Sequence, residues 1–374
     1  MWHNPGDLCY DRWMQPCRHW EHADTKRRLH NLITASGLLG KLRHVSPRPA
    51  TEDELCRCHS SEYVARVKKV GEGGGGEVGD ETAIGSGGFR IAALAAGGAI
   101  AAVDAVITGT CRNAYALVRP PGHHAVLSSG MGFCVFNNVA IAVHEALALH
   151  SELVKRVAIV DFDVHHGNGT QEAFYNDDRV LFVSLHQDNN YPQPSGSILE
   201  FGSGDGEYTT INLPLPPGSG GGAYSAAMDR VVIPALETFQ PDLVVASCGF
   251  DASYLDPLGQ MMLGSEDFRR ITKGLMHAAE SLCKGRLVLV HEGGYSDIYV
   301  PFCGLAVMEV LSGEETGVVD PNLEEVAGFG GQELQVGSKA KPSAGRASCS
   351  IGMHCSTVSF SCCLLPPKAK EMVV

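Results

Sequence analysis

Short apolar runs, each followed at once by a polar cluster, recur through the middle of this 374-residue chain. Ala114–Val118 leads into Arg119-Pro120-Pro121-Gly122-His123-His124, and Val157–Val160 into Asp161-Phe162-Asp163-Val164-His165-His166-Gly167-Asn168-Gly169. Val180–Leu185 leads into His186-Gln187-Asp188, Leu243–Ser247 into Cys248-Gly249-Phe250-Asp251, and Leu287–Val290 into His291-Glu292-Gly293-Gly294-Tyr295. Unbroken apolar runs this short read as strands buried on both faces. Longer segments separate them and read as helices: Phe136–His150, Tyr224–Phe239 and Ser265–Cys283, preceded by alanine-rich Phe89–Ile107 and one around Lys26–Leu39. Strand and helix in alternation predict an α/β fold, a mainly parallel sheet with helices on both faces. Such sheets build their sites outside the carboxyl ends of the strands, where each of these polar clusters falls. The rest of residues 1–60 reads as irregular, and glycine-rich 71–79 as a flexible loop. Nothing between 85 and 312 reads as a linker, whereas 338–374, dominated by Ser, Cys, Lys and Pro, reads as a disordered Cys-rich tail.

A formal charge of −13 disfavours broad or sequence-specific nucleic-acid binding, because phosphate is repelled, and suits a basic partner such as a lysine-rich protein tail. No run of about 18 apolar residues predicts a membrane span. The 13 cysteines include no CxxC pair, and their odd number and scatter fit a reducing compartment.

The segment 161–169 carries the most chemistry. Alternate side chains of an extended chain share a face, so Asp161, Asp163 and His165 leave the strand end together. A carboxylate and an imidazole make half of a divalent-metal site, and Asp251, directly after another strand, is the best third ligand. Three protein ligands leave a position open to water or substrate, which marks a catalytic rather than a structural site. No further carboxylates flank these ligands, so one metal is expected, with zinc and ferrous iron not distinguished by ligand type. His123 and His124 are candidates for the base and acid that hydrolysis needs, with Asp161 orienting one imidazole and Asn168 supporting the other as a neutral partner. Tyr295, after two glycines that let the chain bend inward, can aim a phenol at a developing oxyanion. Phe133, after Gly132, and Tyr191, before Pro192, are candidate walls of a narrow tunnel.

Together, RPPGHHA (119–125), GFCVFNN (132–138), DFDVHHGNG (161–169), SLH (184–186), GFDAS (249–253) and EGGY (292–295) resemble the zinc-dependent histone deacetylases, in the family's order, over about residues 20 to 335. PPGHH and Asn168 resemble the class II-like branch of plants and bacteria, since class I members usually carry Asp there. The resemblance implies an arginase/deacetylase-like three-layer fold with a central eight-stranded, mainly parallel sheet. Its first strand would be cut short by where this chain begins, with a catalytic domain over 1–337 and an atypical tail over 338–374. It implies one zinc on Asp163, His165 and Asp251, with His123 and His124 as the tandem acid/base pair. Tyr295 would polarise the acetyl carbonyl; relatives with His there are poor deacetylases. It further implies a structural potassium on Asp161, Asp163, His165, Ser184 and Leu185, and a second around Phe174 and Val180. The tunnel would be lined by Phe133, Tyr191, Leu258, Gly132 and Gly293, with Asp80 gripping the substrate backbone.

Leu258 stands where polyamine-selective relatives carry an acidic gatekeeper, which favours acetyl-lysine in a protein, histone or otherwise, over an acetylated polyamine. Metal-dependent lysine deacetylation is therefore the expected activity. Its rivals are an acetylpolyamine or small acetamide amidohydrolase and a non-catalytic acetyl-lysine-binding scaffold of a repressor complex. The resemblance implies an acetylated lysine-rich protein as partner, membership of a repressor complex, and the nucleus or cytoplasm as compartment, with an organelle left open.

Overall fold

The computed structural model describes residues 19–329 and the two-residue strand Met372–Val373. Its centre is a sheet in the order Met372–Val373, Asn113–Ala116, Leu287–His291, Leu243–Cys248, Val157–Asp161, Val180–Gln187, Thr210–Leu215, and each neighbouring pair is parallel. The described residues thus give seven strands rather than eight, and the edge beside Asn113–Ala116 is taken by Met372–Val373. The tail expected to be disordered otherwise lies outside the described residues.

Period-two alternation divides the strand side chains between two cores. Ala114, Ala116, Val157, Ile159, Val288 and Val290 pack on one face with helices Gly88–Ile107 and Asn138–Leu149. Tyr115, Ala158, Val160, Val244, Ala246 and Leu289 pack on the other with Asp24–Ala35, Ser265–Cys283 and Val300–Ser312. This is the expected three-layer α/β fold. Gly88–Ile107 is long and apolar enough to cross a membrane by length and composition, a match that counting uninterrupted apolar residues did not register. In the fold, 67% of its apolar window is buried inside the protein.

Several segments differ from their sequence reading. Residues 71–79 are not a loop: Gly75–Asp80 pairs antiparallel with Thr82–Gly85 and parallel with Gly130–Met131, forming a small second sheet. Backbone pairing needs no side chains, so glycines reading as flexible join a strand. The first helix ends at Ala35 instead of Leu39, because Gly37 turns left-handed (φ +79°) into a 3₁₀ turn at Leu38–Lys41. Within the first 60 residues the chain also forms a short helix, Glu52–Leu55, closed by a reciprocal Thr51–Glu54 cap. The helix expected over Tyr224–Phe239 is Gly221–Ala227, a π-helical segment Met228–Val232, then Ile233–Phe239. Pro234 lacks the N–H that would continue an α-helical ladder through the junction.

Candidate active site

The carboxyl ends of the middle strands carry the site. Val157–Asp161 lies between Val180–Gln187 and Leu243–Cys248, in register Asp161↔Ser184 and Asp161↔Ser247. Asp163 and His165 therefore emerge beside the loop that holds Asp251. One ligand atom from each of Asp163, His165 and Asp251 lies within 4.8 Å of the others, and all three residues are buried. His165 Nδ1 is 3.0 Å from Asp163 Oδ1 and 3.3 Å from Asp251 Oδ2.

These residues fit a dication. Asp251 Oδ1 accepts from the Val164 N–H (2.8 Å), but the buried Oδ2 makes no hydrogen bond and has only the His165 ring nitrogen, 3.3 Å away, to offset its charge. An orphaned carboxylate oxygen beside a second carboxylate is costly unless a cation satisfies it. Burial and the charge of Asp163 push Asp251 up to about 6, a strain that a cation relieves. The loops are cut to the ligands: a Cβ on Gly249 would lie 2.1 Å from Asp163 Oδ2, and one on Gly293 2.1 Å from Asp251 Oδ2.

His123 and His124 sit side by side, ring centroids 4.0 Å apart, with different partners. His123 Nδ1 is 3.0 Å from Asp161 Oδ2, and His124 Nδ1 is 2.8 Å from Asn168 Oδ1. Burial opposes charge on His123, but Asp163 and Asp161 outweigh it and raise it to about 10. Burial likewise opposes charge on His124, and repulsion from His123 and His165 adds to it, holding the group well below 6.5. One imidazole is thus held charged and its neighbour neutral, the separation that acid/base chemistry uses.

Tyr295 is buried, and burial pushes its phenol well above 10, so it remains a donor. Its ring meets Phe133 edge-on at 5.8 Å. Tyr191 lies edge-on to His124 at 5.2 Å, and its hydroxyl donates to Asp80 Oδ2 (3.2 Å), so the second sheet delivers Asp80 to this aromatic wall. Gly132 lets the wall close up, since a Cβ there would lie 2.6 Å from the His124 ring and 2.7 Å from the Tyr191 ring. Leu258 is half-buried, its N–H bonded to Asp256 Oδ1 (2.9 Å). Ser184 and Leu185 are buried on the neighbouring strand, where the Ser184 hydroxyl lies 2.9 Å from His186 Nδ1.

Two site residues escaped the sequence reading. Glu292 Oε2 accepts from the N–H groups of Gly122 (2.7 Å) and His123 (3.2 Å), and Oε1 accepts from Ser247 Oγ (3.1 Å), so it fixes the backbone of the histidine pair. Asp256 accepts from the Tyr295 N–H (2.7 Å). Position was a signal for Glu292, which directly follows the strand Leu287–His291, but not for Asp256, eight residues past Leu243–Cys248. Nearer the molecule's first helix, the buried Glu21 carboxylate holds Arg119 at 2.5 Å and Lys26 at 3.5 Å.

Comparison with known proteins identifies the family. The family profile described as "Histone deacetylase domain" matches residues 19–311. A "Histone deacetylase-like amidohydrolase" of Pseudomonas aeruginosa is 48% identical over 328 residues, 86% of each chain. "Histone deacetylase 8" of Arabidopsis thaliana is 39% identical over 311 residues, 81% of this chain and 82% of that protein. A solved structure, "Crystal Structure of HDA15 HD domain", superposes with TM-score 0.75 at 36% identity, covering 84% of this chain and 87% of that one. With the matched fold, the buried Asp163–His165–Asp251 trio and relatives named as deacetylases and amidohydrolases, the chain belongs to the histone deacetylase family of hydrolases.

Proposed function

We infer that the protein hydrolyses N-acetyl-lysine in proteins to lysine and acetate, using one zinc ion on Asp163, His165 and Asp251. The observation that carries this reading is the unlike pair of imidazoles: His123 on a carboxylate and His124 on an amide, beside the three-ligand cluster. When bound, the dication polarises the acetyl carbonyl and lowers the pKa of water. His124, neutral, accepts a proton from water as the water oxygen bonds to the carbonyl carbon. The Tyr295 hydroxyl donates to the oxygen on which negative charge develops. The C–N bond then breaks as His123 passes its proton to the lysine nitrogen, and the acetic acid formed ionises to acetate, its proton passing to the amine. Phe133 and Tyr191, with Gly132 and Gly293 allowing close approach, are read as flanking the apolar lysine stem, and half-buried Leu258 favours that stem over a charged polyamine.

A potassium ion on Asp161, Asp163, His165, Ser184 and Leu185 belongs to the same proposal, supported by the Asp161↔Ser184 register. So do an acetylated lysine-rich protein as partner, supported by the charge of −13, and a repressor complex. For the compartment we propose nucleus or cytoplasm, although one relative is named "Histone deacetylase 14, chloroplastic"; imaging a tagged chain decides this.

The test is acetate release by zinc-loaded protein from an acetylated histone peptide in competition with acetylspermidine. Preferential turnover of the peptide is expected. No turnover of either substrate sinks the hydrolase reading, and preference for acetylspermidine replaces it with a polyamine amidohydrolase.

A further inference from the structure

We propose that Asp256 is a positioning residue for Tyr295, a strut that sets where the phenol stands relative to the carbonyl oxygen. The proposal rests on the reading of Tyr295 as the oxyanion donor. Asp256 is 7% exposed, and each of its carboxylate oxygens accepts a backbone N–H: Oδ2 from Tyr295 at 2.7 Å and Oδ1 from Leu258 at 2.9 Å. Its own N–H donates to the Ser253 carbonyl (3.0 Å), so the carboxylate is held from behind. One side chain thereby joins the loops that follow two adjacent strands, Leu243–Cys248 and Leu287–His291.

The Tyr295 loop needs such a tie. Gly294 turns through φ +116°, a conformation that only glycine adopts freely, and the next residue must leave that turn in one direction. The residues before it are fixed by the site: the Gly293 N–H donates to Asp163 Oδ2 (2.9 Å), and the Gly293 carbonyl accepts from the Phe250 N–H (3.1 Å). Among the described residues, Asp256 is the hydrogen-bond partner of the Tyr295 N–H. Oxyanion donors act only within a few tenths of an ångström of their target, and a misplacement of about 1 Å costs on the order of 100-fold in rate.

A cap for the turn at 253–258 alone would also use this carboxylate, and a double-mutant cycle separates the two roles. Asp256→Ala is expected to lower kcat by roughly 10- to 100-fold with far less change in KM. In a Tyr295→Phe background, where the hydroxyl is already gone, the same change should cost under about 3-fold. Equal losses in both backgrounds, or unchanged kcat in the single variant, overturn the proposal. Asp256→Asn, which keeps one acceptor, carries the same cycle if the alanine variant does not fold. Amide hydrogen exchange supplies a readout independent of the reaction. The Tyr295 amide should exchange faster in Asp256→Ala while the Gly293 amide, bonded to Asp163, does not. Equal protection of Tyr295 in variant and wild type refutes the strut even if the protein hydrolyses no acetyl-lysine.

Discussion

Gly293→Ala tests the claim that loop backbones are shaped around the metal ligands. The added Cβ would stand 2.1 Å from Asp251 Oδ2 and 2.7 Å from Asp163 Oδ2, whereas ordinary contact begins near 3.4 Å. Asp251 must therefore retreat by about 1.3 Å, the difference between 3.4 and 2.1 Å, or the loop must move by as much. Metal–ligand distances tolerate only about 0.2 Å, so a shift of this size removes the ligand. Losing even an outer-shell partner weakens binding by about 10- to 100-fold, so loss of one of three ligands should weaken it by about 100-fold or more. Gly293 does not occupy the left-handed region, so alanine meets no backbone penalty and the damage falls on the site. The assay is zinc content after dialysis against graded chelator, with circular dichroism to verify folding. Gly274→Ala is the control, because a Cβ there meets only the Met228 methyl at 3.5 Å. A folded Gly293→Ala protein with wild-type zinc affinity would refute the reasoning, whatever its activity.

Three further outcomes are expected. Tyr295→Phe should lower kcat on an acetyl-lysine peptide by about 100- to 1,000-fold while zinc content and KM stay near wild type; a matching rise in KM would instead assign Tyr295 to ground-state binding. Asn168→Asp puts an anion where the amide oxygen lies 2.8 Å from His124 Nδ1, which favours protonated His124. Since the base must be neutral, the acidic limb of the kcat/KM profile should move to higher pH, and an unmoved limb would remove His124 from the base role. Glu21 is buried, but Arg119 and Lys26 outweigh that burial and hold it at about 2, against an ordinary 4.5. A depressed carboxylate stabilises the fold above its unfolded value, so on the order of 3 kcal/mol should be lost as pH falls from about 4.5 to about 2. Glu21→Gln should show that loss already at neutral pH in a denaturant titration, and unchanged stability would contradict it.

The sheet could be read from the sequence because strands buried on both faces are short unbroken apolar runs, and the polar residues after each run had only one place to go. Asp163, His165 and Asp251 were found this way, each within four residues of a strand end, and the structure brings them together. The glycine-rich hairpin was not legible, because its pairing is made by backbone atoms that every residue shares. Glu292 and Asp256 were hidden for a related reason. Their partners are mostly main-chain N–H groups 39 to 170 residues away, and a backbone donor leaves no side-chain pattern to match.

Charge at the site ties the metal to the fold itself. Asp161, Asp163, Asp251 and Glu292 are all fully buried, while His123 and His165 are the imidazoles raised to about 10 beside them. Four carboxylates against two cations leave an excess of negative charge that no side chain of the cluster answers. Burial already pushes Glu292 up to about 7. A dication answers that excess, and His165 must give up its proton to hold it, so binding should be linked to both proton release and stability. By mass action, free metal at 100 times its dissociation constant adds about 2.7 kcal/mol to the folded state. Stripping with chelator should therefore lower the melting temperature by several degrees, and zinc should restore it. Indistinguishable melting with and without metal would mean that the carboxylates are neutralised by protons instead, and that the trio is not a cation site.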